Sequence, residues 1–239
     1  MEETRKLQTL VTAKFMGIVF LYMFIALFIT AGVSALVGYL FTTIWPIDYS
    51  DNTYLIYLIT LIVSAVLMIG VNIWFSFAGY RTKGGLYIPF AIYSILMGVL
   101  VSSFTMFVDF YVLALSFAMT CLAFLIMALI GILSKGNINF LLIVALGTLS
   151  GALFIGIMNW VWYLLFPSLF DVAYLIIEFS IFVVVMLITA VDVWRIKQIV
   201  LRGEANNNLA LYCAFNLYVD FINIFIRILS VVASSKKRK

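Results

Sequence analysis

The chain has 239 residues, of which 66% are hydrophobic and only 10% charged, with a formal net charge of +4 and a mean hydropathy of +1.22. A water-soluble domain covers its surface with about a quarter charged residues, so this composition excludes one and makes lipid the solvent for most of the chain. The absence of histidine excludes His-based zinc, haem and imidazole acid–base chemistry, and the basic residues gather at the termini and in short loops, where they set orientation rather than bind nucleic acid.

A hydrocarbon core about 30 Å thick is crossed by about 20 apolar residues in a helix. Only helices and closed barrels satisfy their backbone in lipid, and runs of that length are helical. The first run covers 15–42, with Arg5, Lys6 and Lys14 before it and Asp48 and Asp51 after it. It is too long for the core of a cleavable signal peptide and reads as an uncleaved first span. The second run, 53–78, is followed by Arg81 and Lys83, and the third, 86–107, by Asp109. The fourth, 110–133, ends at Lys135, and the fifth covers 138–165. The sixth, 169–194, has Asp171 at its start and Arg195, Lys197 and Arg202 after it; the seventh, 208–233, leads into a basic tail, 234–239.

The prediction is therefore an all-α integral membrane protein, a seven-transmembrane-helix bundle with 1–239 as a single transmembrane domain. Trp45, Tyr49, Tyr54, Trp160 and Trp162 stand near the ends of runs, where interfacial aromatic belts belong. The alternation of loop charge places the N-terminus and the loop between the last two runs in the cytoplasm. Seven full spans then leave Lys236, Lys237, Arg238 and Lys239 outside, against the preference of their charge. The expected setting is a bacterial plasma (inner) membrane.

Small residues at Gly98 and Ser102, and at Gly147, Ser150, Gly151 and Gly156, have spacings that suit close helix contact. Asn72, Asn159, Asn216 and Asn223 could bond across helices or line a path, packing being the simpler role. Cys121 and Cys213 both lie in apolar runs and read as small core residues rather than a disulfide or metal pair.

Four ionisable residues fall inside apolar runs: Glu178 and Asp192 in the sixth, Asp220 and Arg227 in the seventh. Each costs at least about 2.5 kcal/mol near the bilayer centre, so such residues usually carry function. Asp192 lies fourteen residues before Asn206 and Asp220 fourteen after it. Counted at 1.5 Å per residue, both sit about 20 Å from the apex of a helical hairpin and face one another. Two carboxylates in a low dielectric cannot both ionise cheaply, so they share a proton and titrate as a pair. Fully ionised, they attract a hard divalent cation such as calcium.

A structural role competes with this one. Arg195 is three residues beyond Asp192, at salt-bridge spacing. Asp220 has no partner of opposite sign nearby in sequence; Arg227 is two turns on, where it could snorkel to the interface. Glu178 acquires no role from sequence.

Leu217-Tyr218-Val219-Asp220-Phe221-Ile222-Asn223-Ile224-Phe225 resembles the signature of the Bax inhibitor-like family (transmembrane Bax inhibitor motif) of membrane proteins. Ala190-Val191-Asp192-Val193-Trp194-Arg195-Ile196 is similar to the end of that family's preceding helix. There the family usually reads tyrosine-aspartate-threonine-x-x-isoleucine, and Val191 and Val193 replace the tyrosine and threonine. The resemblance is sharp over 170–230; elsewhere the helix count, Asn159 and the Gly98 segment fit it. It implies a seventh helix lying centrally between two three-helix layers. It also implies a pH-sensitive calcium leak channel governed by Asp192 and Asp220 as ion pathway, pH sensor and transient calcium ligands. Arg81 matches the family's arginine that pairs with the first aspartate, as a latch. Arg195, Glu178, Asn223 and Arg227 are secondary candidates.

Two other function classes compete: an interaction protein that restrains a membrane protease or a cell-death or stress partner, and a secondary transporter with a midplane site. A receptor reading rests on helix number alone. An intramembrane aspartyl protease would need a glycine-rich partner motif beside its aspartates. No enzyme activity and no cofactor are expected. The expected partners are the lipid bilayer, calcium as the permeant ion, protons and membrane proteins, and not nucleic acid.

Overall fold

The structure is a computed structural model that describes residues 2–44, 51–78, 85–134, 138–163 and 170–237. Seven α-helices and no strands occur among the described residues: α1 (Glu2–Tyr39), α2 (Asp51–Ala78), α3 (Tyr87–Phe107), α4 (Phe110–Leu133), α5 (Asn139–Tyr163), α6 (Phe170–Leu201) and α7 (Asn207–Lys237). All except α5 are long and apolar enough over their described residues to cross a bilayer, and α5 contributes the apolar stretch Phe140–Gly151. Their large exposed side chains are apolar, as in Phe28, Ile59, Phe77, Phe110 and Leu122. That is a surface suited to acyl chains.

The helices follow the apolar runs closely, and three ends depart from them for local reasons. α1 begins at Glu2 rather than at 15, because a helix continues in water while its backbone bonds are made. At its other end it passes into a π-helical stretch, Leu40–Ile44. There the Thr42 hydroxyl donates to the Gly38 carbonyl at 2.8 Å, a side-chain bond that competes with the backbone ladder. α6 runs on to Leu201 instead of ending at 194, because Arg195 marks the edge of the apolar run and not the end of the helix. What stops it is Gly203 at φ 74°. Gly203 N–H bonds Val200 O at 3.0 Å and Glu204 N–H bonds Ile199 O at 3.2 Å, the paired closure that a left-handed glycine allows. Asn206 then caps α7, its Oδ1 accepting from Leu209 N–H at 2.8 Å. Lastly, α7 continues to Lys237 through most of the expected tail.

The chain forms two compact units. The first comprises Met1–Ala114 with Ile199–Tyr218. In it α3 packs against α1 and α2. A Cβ on Gly98 would come within 2.8 Å of the Thr30 carbonyl, so the glycine lets α3 meet the α1 backbone, as its spacing with Ser102 suggests. Rings fill the interior: Phe75 stacks on Phe215 at 4.0 Å, and Phe90 and Tyr93 present their edges to Phe215 and Tyr218. Tyr218 is fully buried, and its hydroxyl lies 2.5 Å from that of Thr30, which has the Ala26 and Ser94 carbonyls within 3.0 Å; with the one Thr30 proton directed to either carbonyl, Tyr218 is the donor between the two hydroxyls. Asn72 bonds across helices to Tyr93.

The second unit comprises Leu115–Gln198 with Val219–Lys239. Phe117 and Phe124 of α4 meet Phe221 of α7, and Phe117 also meets Phe225. A Cβ on Gly131 would lie 2.6 Å from the Ala190 carbonyl, so α4 and α6 touch backbone to backbone there. Lys197 of α6 donates to the carbonyls of Ile132 (2.8 Å) and Ser134 (3.0 Å), satisfying the C-terminal end of α4. Gly147 and Gly151 instead have nothing within 4 Å of a Cβ. Their spacing forms no close contact, which corrects the expectation from sequence.

Trp45, Tyr49, Asp48, Arg81, Lys83, Lys135, Arg238 and Lys239 lie outside the described residues, as do the side chains of Trp160, Trp162 and Asn159. Tyr54, at the start of α2, is exposed as an interfacial aromatic should be. Cys121 and Cys213 form no disulfide.

Candidate functional site

The intramembrane charges meet in the second unit, along the contact of α6 with the C-terminal part of α7. Asp220 is 8% exposed, and its Oδ2 is buried with no hydrogen-bond partner among the described residues. Asp192 lies close enough for the two charges to act on one another, and the Thr189 hydroxyl is the hydrogen-bonding neighbour of the Asp220 carboxyl. A buried oxygen left without a partner is costly, and the cost is relieved when a proton or a cation meets it.

The level of the two aspartates differs from the expectation. Asp192 lies nine residues before the end of α6, and Asp220 thirteen residues after the start of α7. At 1.5 Å per residue they are about 14 and 20 Å from their helix ends. Asp220 is thus level with Thr189, one turn farther from the apex than Asp192. The reason is the tight closure at Gly203, which makes Asn206 the start of α7 and not the midpoint of the hairpin.

Asp192 takes the partner expected of its spacing. Arg195 donates to its Oδ1 at 3.2 Å. The arginine side chain is 53% exposed and the aspartate 17%, so this pair sits at the wetter end of the seam. Water screens such a pair, so it contributes little to stability. The indole N–H of Trp194, two residues on, is buried with no partner among the described residues.

Thr189 also limits which states the site adopts. Its hydroxyl donates to the Val185 carbonyl at 2.9 Å. A hydroxyl has one proton, so it can serve the Val185 carbonyl or an Asp220 carboxylate but not both at once. Thr189 escaped the sequence reading, although it lies three residues before Asp192, one turn away on the same face.

Arg227 finds a partner on α6. It forms an ion pair with Glu178, each side chain 25% exposed. The two are 49 residues apart in sequence; the signal that could have found them is a pair of opposite charges on facing sides of one hairpin. Asn223 is exposed and Asn216 half-buried on α7. Arg81, the expected latch, lies outside the described residues.

Among the described residues no group of three or more His, Cys, Asp or Glu side chains could hold a metal. Calcium takes six to eight oxygen ligands when held firmly. Two carboxylates and a hydroxyl suit a cation that stays hydrated and leaves again. Residues 12–237 match the protein family described as Inhibitor of apoptosis-promoting Bax1. Among curated proteins nothing matches the chain.

Proposed function

Because this chain belongs to the Bax inhibitor-1-like family of membrane proteins, we propose that it is a pH-sensitive calcium leak channel whose pathway is gated by Asp192 and Asp220. One observation carries the reading: a carboxylate oxygen of Asp220, buried in an apolar span with no partner among the described residues, beside a second carboxylate on the adjoining helix. Doubly ionised, the pair draws in a divalent cation; holding a proton, it does not. Thr189 couples the two states, because its proton faces the Val185 carbonyl in one and the Asp220 carboxylate in the other.

In this reading α7 is the central helix between two three-helix layers. In support, 72% of its apolar window is buried, against 39% or less in the other candidate spans. The membrane is a bacterial plasma (inner) membrane, with the N-terminus and the turn at Gly203 in the cytoplasm. Arg81 is the latch that competes with protons and calcium for Asp192. Conduction needs no enzyme chemistry and no cofactor.

The test is calcium flux from purified protein in liposomes over a pH series. Flux that varies with pH and is lost in Asp220→Asn supports the leak. A folded wild type that passes no calcium at any pH refutes it.

A further inference from the structure

Four charged residues share one seam. Arg227 lies seven residues beyond Asp220 on α7 and Glu178 fourteen before Asp192 on α6. These are close to two and four full turns, so each pair shares a face, and Arg227 stands about 10 Å farther along the axis than Asp220. Both Glu178 and Arg227 remain one quarter exposed.

The exposure of α7 around them is ordered. Between Val219 and Ser230 the residues that are not buried are Val219, Asn223, Ile226, Arg227 and Ser230. They recur every three or four positions and form one stripe, three of whose five members are polar. Helix faces turned to acyl chains look different, as in α2, where Ile59, Val66 and Ile73 are exposed. Ionisable residues in apolar helices face the bundle interior or a water-filled cavity, and a polar accessible stripe around Arg227 suits water better than lipid.

We infer that the Glu178–Arg227 pair forms the mouth of the path to Asp220 at the end away from the Gly203 turn, and that its charge balance selects the ions admitted. This deepens the leak reading and rests on it. Arg227 brings a guanidinium cation to the seam. Standing alone beside a narrow path, it would repel cations, as rings of basic side chains do in anion pores. Glu178 cancels that charge and lets a divalent cation pass to Asp220. The pair is therefore a selectivity element as well as a tie between α6 and α7.

The experiment is calcium flux into liposomes at fixed pH for the wild type, Glu178→Gln, Arg227→Gln and the double variant, each checked for monodispersity before reconstitution. A bare unit charge about 10 Å from a divalent ion, at an effective dielectric of about 20, changes its occupancy more than tenfold. Glu178→Gln is expected to lower calcium flux about tenfold or more, and Arg227→Gln to raise it. The double variant is expected to return close to the wild type. A pair that only holds the helices together would make both single variants fall. Both falling, or neither moving, while the wild type leaks, overturns this inference alone. A folded wild type that passes no calcium overturns the leak reading and this inference with it.

Glu178→Cys, modified after reconstitution, keeps the test independent of folding defects in the glutamine variants. A negatively charged methanethiosulfonate should restore flux and a positively charged one should not, with the unsubstituted protein as control for Cys121 and Cys213. Equal response to both reagents overturns the assignment.

Discussion

The close backbone approach at Gly131 gives the sharpest test of how the aspartates are held. A Cβ at position 131 would lie 2.6 Å from the Ala190 carbonyl oxygen, 2.9 Å from the Val193 Cβ and 3.1 Å from the Trp194 nitrogen. Two of these are backbone atoms, which cannot rotate away. An ordinary carbon–oxygen contact is about 3.3 Å, so Gly131→Ala must part α4 from α6 by about 0.7 Å. Overpacking of that kind costs about 1–3 kcal/mol. In a chain of this size each kcal/mol lowers the melting temperature by about 2–4 °C. Thermal unfolding in detergent should therefore show a loss of about 2–12 °C. Gly147→Ala and Gly151→Ala, whose new methyl groups meet open space, are the controls and should change stability by no more than about 0.5 kcal/mol. The displaced stretch carries Asp192, so the same substitution should alter the pH profile of the leak. Gly131→Ala as stable as Gly147→Ala would show that the helices do not meet there, and the account of how Asp192 is positioned would fall.

Asp220→Asn keeps the shape of the side chain and removes its titration. It should leave the fold intact by circular dichroism while abolishing divalent selectivity and flattening the pH dependence of flux; retained pH dependence would place the sensor elsewhere. Arg81→Ala should raise the basal leak and move its pH midpoint, and Lys83→Ala should do neither, whereas unchanged profiles for both would reduce Arg81 to an anchor. Cysteines introduced in the 202–206 turn should react with membrane-impermeant reagents only from the cytoplasmic side, and labelling from outside intact cells would reverse the orientation. The same assay at position 235 reports whether α7 crosses the bilayer.

The helices themselves were legible because lipid leaves the chain few choices. Runs such as 110–133 and 53–78 nearly coincide with α4 and α2, since the thickness of the hydrocarbon sets their length. The end of α6 was not legible from hydropathy, because the apolar run stops at Arg195 while the backbone turns only at Gly203. Glycine spacing misled for a related reason. Gly147 and Gly151 have the pattern of a close contact and face open space, whereas Gly131, which the sequence reading did not single out, fits against the backbone of another helix. Within the site, Asp192 and Asp220 were readable as charges in apolar spans. The Glu178–Arg227 pair was not, because it depends on the register of two helices that only the turn between them fixes.

The turn at Gly203 also bears on how the protein is made. α7 has the lowest hydropathy of the candidate spans, 1.7 against 2.5 for α2 and α4. Asp220 and Arg227 each add about 2.5–3.5 kcal/mol to the cost of partitioning near the centre of a span. Leaving the translocon alone, such a segment would hesitate at the interface. Five residues, Arg202 to Asn206, separate it from α6, so α6 is still beside it as it emerges. Glu178 is then in place to neutralise Arg227, and the two segments enter the bilayer as one hairpin. A longer linker at the turn would uncouple their insertion and should yield chains with α7 left outside, failing in biogenesis before any ion could cross.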